Sequence, residues 1–189
     1  MEYCKHLDPD YITSHKLFVP ALRREAWFPY LEESDMFKDF NGNIMLCKHY
    51  RYSPIYVHEH EFFEILCIYD GTAHTTIQGI SHTLHTGDIC IIPPHTKHSV
   101  SIFDDSVAFN ILVRSSTFQT TFFQTLTADS ALAHFFAHVL YHKTEGNFLI
   151  FHTGNDQIIM ESLENLFMEY LGHEKYNYTF LNSMLVLFW

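Results

Sequence analysis

Basic residues are scarce in this chain of 189 residues: 11 Lys and Arg stand against 22 Asp and Glu, a formal net charge of −11 with histidine neutral. Binding a nucleic-acid backbone needs Lys and Arg clustered on one surface, and no basic run occurs anywhere. The chain is therefore not expected to hold DNA by itself. No apolar run approaches the roughly 18–20 residues of a membrane-spanning helix. The first residues, Met-Glu-Tyr-Cys-Lys-His, show no apolar segment of a secretory leader. The cysteines are few and scattered (Cys4, Cys47, Cys67 and Cys90), with no CxxC pair. Cys67 and Cys90 fall in apolar β-like runs and read as small core residues. Free thiols without a leader point to a cytoplasmic protein.

What the chain has in quantity is apolar side chains and histidine. Apolar residues make up 47%, 18 of them Phe, which suits one domain with an appendage and excludes disorder. Of the 15 histidines, the informative ones lie between His58 and His98. Residues two apart on a strand share a face, so His58 and His60 project together. If the strand continues without a bulge, Phe62, Glu64 and Leu66 join them. Asp70-Gly71 is a turn dipeptide. After Thr86-Gly87-Asp88 comes a short apolar strand, Ile89 to Ile92, ended by Pro93-Pro94. His98 opens the next β-like run. Two imidazoles, a carboxylate and a distant third imidazole can thus converge inside a small barrel. The set suits Zn, Fe, Mn or Ni without choosing among them. His74, His82, His134 and His138 are expected to be ordinary core histidines.

The spacing His58-x-His60-x3-Glu64-x6-Gly71, followed by Gly87-x5-Pro93-x-His95-x2-His98, resembles the two cupin motifs. His95 and Tyr52 stand where cupins usually carry glycine, and Ile102 where many carry asparagine. The segments HEHEFFEI (58–65), GDICIIPPHTKH (87–98) and FLIFHTGNDQII (148–159) resemble the N-terminal effector domains of AraC-type bacterial transcription regulators. The resemblance runs from about Lys48 to the end. It implies a mainly β fold: a cupin double-stranded β-helix, or jelly-roll barrel, followed by α-helices.

In chain order, residues 1–40 read as an N-terminal arm, either flexible or folded over the barrel mouth. Residues 41–114 read as the barrel, with short β runs broken by turn residues every 8–12 positions. From 115 to 189 the period becomes helical. Asp129-Ser130 can cap a helix carrying Leu132, Phe135, Phe136, Val139 and Leu140. Thr153 to Asp156 can cap a second helix, striped by Ile159, Leu163, Leu166 and Tyr170 and stopped at Gly172. A third helix carries Leu181, Met184, Leu185 and Phe188 and reaches the chain end without a polar cap, as though the chain were cut from a longer protein. The two apolar stripes of the second and third helices form the expected homodimer interface, the region where AraC-type subunits meet.

The resemblance implies a ligand-sensing and dimerisation domain that binds a small effector, a sugar being the first candidate. His58, His60, Glu64 and His98 would fix its polar groups, and Phe62 would line the apolar remainder. DNA would be read by a helix-turn-helix domain beyond Trp189. On that reading the chain is not an enzyme, and whether its histidines also hold a divalent transition metal (Zn, Fe, Mn or Ni) is left open by the residues. The alternative is a metal-dependent cupin enzyme, such as a dioxygenase or sugar isomerase, holding a divalent transition metal on His58, His60, Glu64 and His98. Given its charge, the isolated chain should leave duplex DNA unretarded at physiological salt. A salt-sensitive gel shift at low micromolar protein would contradict this.

Overall fold

Short β-favouring runs between turn residues become strands, and most of them enter two antiparallel sheets. The structure, a computed structural model, describes residues 29–38, 42–52, 55–117, 131–142, 148–154 and 156–171. The elements begin with β1 (Tyr30–Leu31), α1 (Glu33–Met36), β2 (Ile44–Lys48) and β3 (Glu59–His60). Then follow β4 (Phe63–Asp70), β5 (Thr72–Ile77), β6 (Ile80–His85), β7 (Ile89–Ile92), β8 (His98–Ser101) and β9 (Val107–Val113). The remainder is α2 (Ser115–Thr117), α3 (Ala131–His142), β10 (Leu149–Phe151) and α4 (Gln157–Leu171). One sheet has the order β10-β7-β4-β9-β2 and the other β6-β5-β8.

Leu66, Ile68, Ala73, Ile77, Leu84 and Ile92 belong to the core shared by the two sheets. This is the cupin jelly-roll implied by the motifs. Alternation along each strand sends every second residue the other way. Ile65, Cys67, Ile91, Ile111 and Val113 therefore meet the helices, packing with Phe136 of α3 and with Leu163 and Leu166 of α4. At the turn after β4, Gly71 adopts φ 80° with its Cα against the Ser106 side chain, leaving no room for a Cβ. The Ser106 hydroxyl accepts the N–H of Thr72 at 2.8 Å, which fastens that turn to the start of β9.

Three expectations change here. First, the barrel sheet is not confined to 41–114. The chain returns to it at β10, which pairs antiparallel with β7 (Leu149 opposite Ile91), because the apolar run 148–151 can add an edge strand after α3. Second, the second helix turns its stripe inward. Asp156 caps it as expected, its Oδ1 accepting the N–H groups of Ile158 and Ile159 at 2.9 and 3.3 Å. Leu163 and Leu166, expected at a dimer interface, are fully buried against the chain's own sheet, with Ile159 and Tyr170 half-buried beside them. The sheet's outer face is apolar and an amphipathic helix is the nearest cover for it. Third, His74, His134 and His138 are exposed rather than core. Leu181, Met184, Leu185 and Phe188 lie outside the described residues, as does the Asp129-Ser130 cap.

The described part of the arm, residues 29–38, folds onto one end of the barrel. β1 pairs in parallel with β3, Tyr30 opposite Glu59. Phe37 packs with Phe62 and Leu112 in a small cluster of its own, with Leu31 and Met36 around it. The Arg114 guanidinium lies 4.4 Å from the centre of the Phe37 ring and 3.6 Å from the Glu33 carboxylate.

Docking of α4 on its own sheet has a measurable consequence. Leu166→Ala should destabilise the protein by about 2–5 kcal/mol in chemical denaturation, the range for emptying a well-packed leucine site. Met168→Ala, on the exposed side of the same helix, should stay within about 0.5 kcal/mol. Equal effects would mean the helix is not docked through Leu166.

Candidate functional site

β4 brings Glu64 to the inner face of the barrel, where its backbone neighbours are Ile92 on β7 and Leu112 on β9. The residue is only 4% exposed. His98, the first residue of β8, faces it and is joined to His58 by a two-way bridge. Each main-chain N–H donates to the other's carbonyl at 2.9 Å. His60 is fixed through its own carbonyl, which accepts the N–H of His95 at 2.8 Å. All four residues singled out by spacing therefore converge, on main-chain restraints that do not involve their rings.

They do not lie on one continuous strand. The chain bends at Glu61 and Phe62, so His60 ends β3, paired with the arm, while Glu64 belongs to β4. This bend redirects Phe62. It stacks on the face of His60, with centroids 4.3 Å apart and planes at 10°, and its other contacts are Phe37 and Leu112. Phe62 thus backs His60 instead of standing beside Glu64.

The carboxylate oxygen Oε2 of Glu64 lies 3.3 Å from His60 Nε2 and 3.6 Å from His98 Nε2. Both contacts are in ion-pair range, yet neither nitrogen makes a directed hydrogen bond. The opposite nitrogens of two rings are occupied: His98 Nδ1 meets the Thr96 carbonyl at 2.9 Å, and His58 Nδ1 meets the Tyr56 carbonyl at 3.2 Å. A carbonyl only accepts, so Nδ1 carries hydrogen in both and Nε2 is the position left for a ligand.

Burial alone would raise the Glu64 carboxyl, but the His60 and His98 imidazoles outweigh it and hold the group well below the usual carboxylate range. Burial would lower His98, and Glu64 reverses this and raises it. Burial, aided by His98, lowers His58 to about 4, and burial also lowers His60. The Glu64 carboxyl and the His98 imidazole are thus shifted toward their charged forms, and His58 and His60 toward their neutral ones.

The motifs did not single out His49. Its ring is lowered by burial against the pull of Glu64, and its Nε2 is buried without a hydrogen-bond partner. The signal was present: alternation from Ile44 puts Met45, Cys47 and His49 on the inner face.

A family model described as the AraC-like ligand binding domain matches residues 45–177. The chain belongs to the AraC-like ligand-binding domain family. A curated relative is the HTH-type transcriptional activator RhaS of Yersinia pestis (strain Pestoides F), 26% identical over 85 residues. That match covers 45% of this chain and 31% of the relative, so the chain spans about a third of the length of the curated relatives it matches. Among solved structures, apo ToxT K231A from Vibrio cholerae strain SCE256 is similar in fold. Its TM-score is 0.56 at 15% sequence identity, covering 78% of this chain and 55% of ToxT. An RmlC-like cupin from Shewanella frigidimarina is similar over 40% of this chain and 70% of its own, with 23% identity and a TM-score of 0.36.

Within this AraC-like ligand-binding domain, a metal finds a partial match to the expected ligand set. His58, Glu64 and His98 each offer a donor atom, and those atoms lie within 4.8 Å of one another. His60 is not part of that group. Two imidazoles with backbone-fixed Nδ1 atoms and one carboxylate fit a divalent transition ion chemically.

The lowered histidines make stability pH-dependent. A base whose folded pKa lies below its unfolded value of 6.5 resists the proton that the unfolded chain accepts, so stability falls as pH drops below about 6.5. For His58 the loss continues to about pH 4. His98 acts oppositely, its contribution being present below 6.5 and lost as pH rises through its raised folded pKa. The Glu64 contribution is lost only at lower pH, as its carboxylate protonates. With His49, His58 and His60 set against His98, the chelator-treated protein should lose on the order of 1 kcal/mol in urea denaturation between pH 7.5 and 5. His49→Leu should flatten that slope. A steeper slope in the variant would reverse the assignment.

Proposed function

We propose that this chain is the sensory part of a transcription regulator, taking a small polar effector between the two sheets of the barrel. His58, His60, Glu64 and His98 fix the effector's polar groups, and inner apolar side chains such as Leu66 and Ile92 cover the rest. One observation carries the reading. Buried imidazole nitrogens on His60 and His98 turn toward one buried carboxylate and are left without hydrogen bonds, in a chain of a ligand-binding family. Buried polar atoms ordinarily find partners in the protein. A sugar or sugar-like compound is the first candidate, by family resemblance.

The relatives' description as HTH-type transcriptional activators supports the regulatory part, and the −11 net charge supports leaving DNA to another segment of a longer protein. On this reading the chain is not an enzyme and works in the cytoplasm. Among the described residues no helix is long and apolar enough to cross a membrane. It assembles as a homodimer through the segment carrying Leu181, Met184, Leu185 and Phe188, with Ile159 and Tyr170 at the margin of α4. An effector shifts the regulator's balance between two states only by its differential affinity for them.

The second reading, a metal-dependent cupin enzyme, is favoured by the His58–Glu64–His98 donor group. A bound divalent ion would supply Lewis acidity there. His60, backed by Phe62, would then be a polar group beside the substrate.

A thermal-shift screen of small polar metabolites tests the sensor. An effector at about 100 times its Kd should add about 2.7 kcal/mol and raise the melting temperature by several degrees. Glu64→Gln should abolish that rise while lowering the unliganded melting temperature by less. Equal losses would make Glu64 a structural residue. Elemental analysis separates the readings: effector binding to metal-free protein supports the sensor, and binding that appears only with one equivalent of metal supports the enzyme.

A further inference from the structure

Two buried polar atoms on the inner face of the larger sheet are used neither by the fold nor by the four-residue site. Asn110, on β9, pairs with Leu66 of β4 on one side and Cys47 of β2 on the other, and its Oδ1 is buried without a hydrogen-bond partner. His49 follows β2, donates its main-chain N–H to the Ala108 carbonyl at 2.8 Å, and has its Nε2 buried and unpartnered. Their places on the sheet run away from Glu64: Asn110 is level with Leu66, and His49, bonded to Ala108, is level with Ile68. Asn110 stands one inward-facing position along the sheet from Leu112, the backbone neighbour of Glu64. The charges of Glu64 and His98 both act on the His49 ring. A third orphan, His82 Nε2, belongs to β6 beside Phe148.

Unpaired buried groups destabilise a fold, and each calls for a reason to be kept. A hydroxyl on a ligand supplies one. It both donates and accepts, so it satisfies an imidazole nitrogen in either tautomer and a side-chain amide turned either way. Charge narrows the choice. Among the described residues the buried set contains no Lys and no Arg. A carboxylate or phosphate on the ligand would meet Glu64, which the His60 and His98 imidazoles already face, with no ammonium or guanidinium left to balance a second negative charge.

We propose that His49 and Asn110 form a second contact pole of the barrel site, and that with Glu64 and His98 they select a compact, neutral ligand bearing several hydroxyls. The proposal rests on the effector-site reading above and adds to it the residues that discriminate. A ligand anchored at both poles lies across the inner face of β4 and β9. A ligand with a hydroxyl at one end only gains half of the contacts.

The test uses the full chain, with neutral aldohexoses and alditols as probes and the matching uronic acids as their anionic counterparts. Calorimetric affinity and unliganded melting temperature are measured for wild type, His49→Leu, Asn110→Leu and Glu64→Gln. His49→Phe and Asn110→Val run alongside, so that one misfolded variant does not decide the result. Neutral probes should bind wild type, with the uronic acids about tenfold weaker or worse. The His49 and Asn110 variants should lose about tenfold in affinity. The Asn110 variants should melt at or above the wild-type temperature because an orphan has been removed, and the His49 variants close to it, because they also lose the ring's bond to the Val100 backbone. The proposal is overturned if no neutral probe binds wild type, or if acids bind as well as neutral compounds. Both variants at one position melting several degrees lower would also overturn it, because that marks a group bonded through internal water. Wild-type affinity in the His49 and Asn110 variants, with loss in Glu64→Gln, removes the second pole alone. Wild-type affinity in all variants removes the barrel site and the reading beneath it.

Discussion

A carboxylate placed inside a β-barrel must be compensated where it sits. An isolated buried carboxylate is several kcal/mol out of balance, and Glu64 is buried on the inner face of a central strand. Its neighbours are those the chemistry requires: His98 as the charge partner, His60 on the other side, and His58 held to His98 through the backbone. The compensation is incomplete, since the imidazole nitrogens facing the carboxylate lack directed hydrogen bonds. On the effector-site reading proposed above, that shortfall is what a bound ligand would make good, since half-satisfied buried networks are less stable than apolar packing.

Two turns of the barrel carry backbone strain, one of them beside His60. Tyr52 and His95, which occupy positions where cupins usually have glycine, both adopt left-handed conformations, at φ 56° and 60°. Side chains other than glycine rarely do so without support. For His95 the support is visible. Its N–H donates to the His60 carbonyl, and its ring stacks on Tyr30 of the arm at 5.9 Å and 14°. The Tyr30 hydroxyl donates in turn to Glu61 at 3.1 Å, so the arm is fastened to the loop between His60 and Glu64. The backbone shape that glycine would give is kept, and a side chain is gained that the arm can grip.

Spacing made much of this legible. The two-residue period of a strand and the fixed intervals from His58 to Gly71 and from Gly87 to His98 were enough to name four residues that the fold brings close together. Turn residues at 70–71 and 86–88 marked the strand ends correctly. What spacing could not carry was anything set by partners distant in sequence. The bend at Glu61 and Phe62 exists because β3 pairs with the arm, some thirty positions earlier. The inward turn of Leu163 and Leu166 depends on an apolar outer sheet face that an amphipathic stripe does not reveal. An intramolecular face and an intermolecular one have the same 3.6-residue period. His49 was missed for a different reason: it lies outside the motif, and only its strand parity marked it.

The alternation of β4 reaches further than the placing of one carboxylate. Phe63, Ile65 and Cys67 lie under the helices, and Leu66 and Ile68 lie between the sheets with Glu64. A slip of one residue would exchange the two sets. It would put an isoleucine among the imidazoles and a carboxylate beneath α3 and α4, so both faces of the strand forbid it for unrelated reasons. The register shift between Ile68 and Asp70, where β4 meets β9, lies beyond both sets, near the turn. Insertions and deletions within 63–68 are thus excluded twice over, by what the barrel encloses and by what covers it. Tolerance for a change in length begins only at the strand's far end.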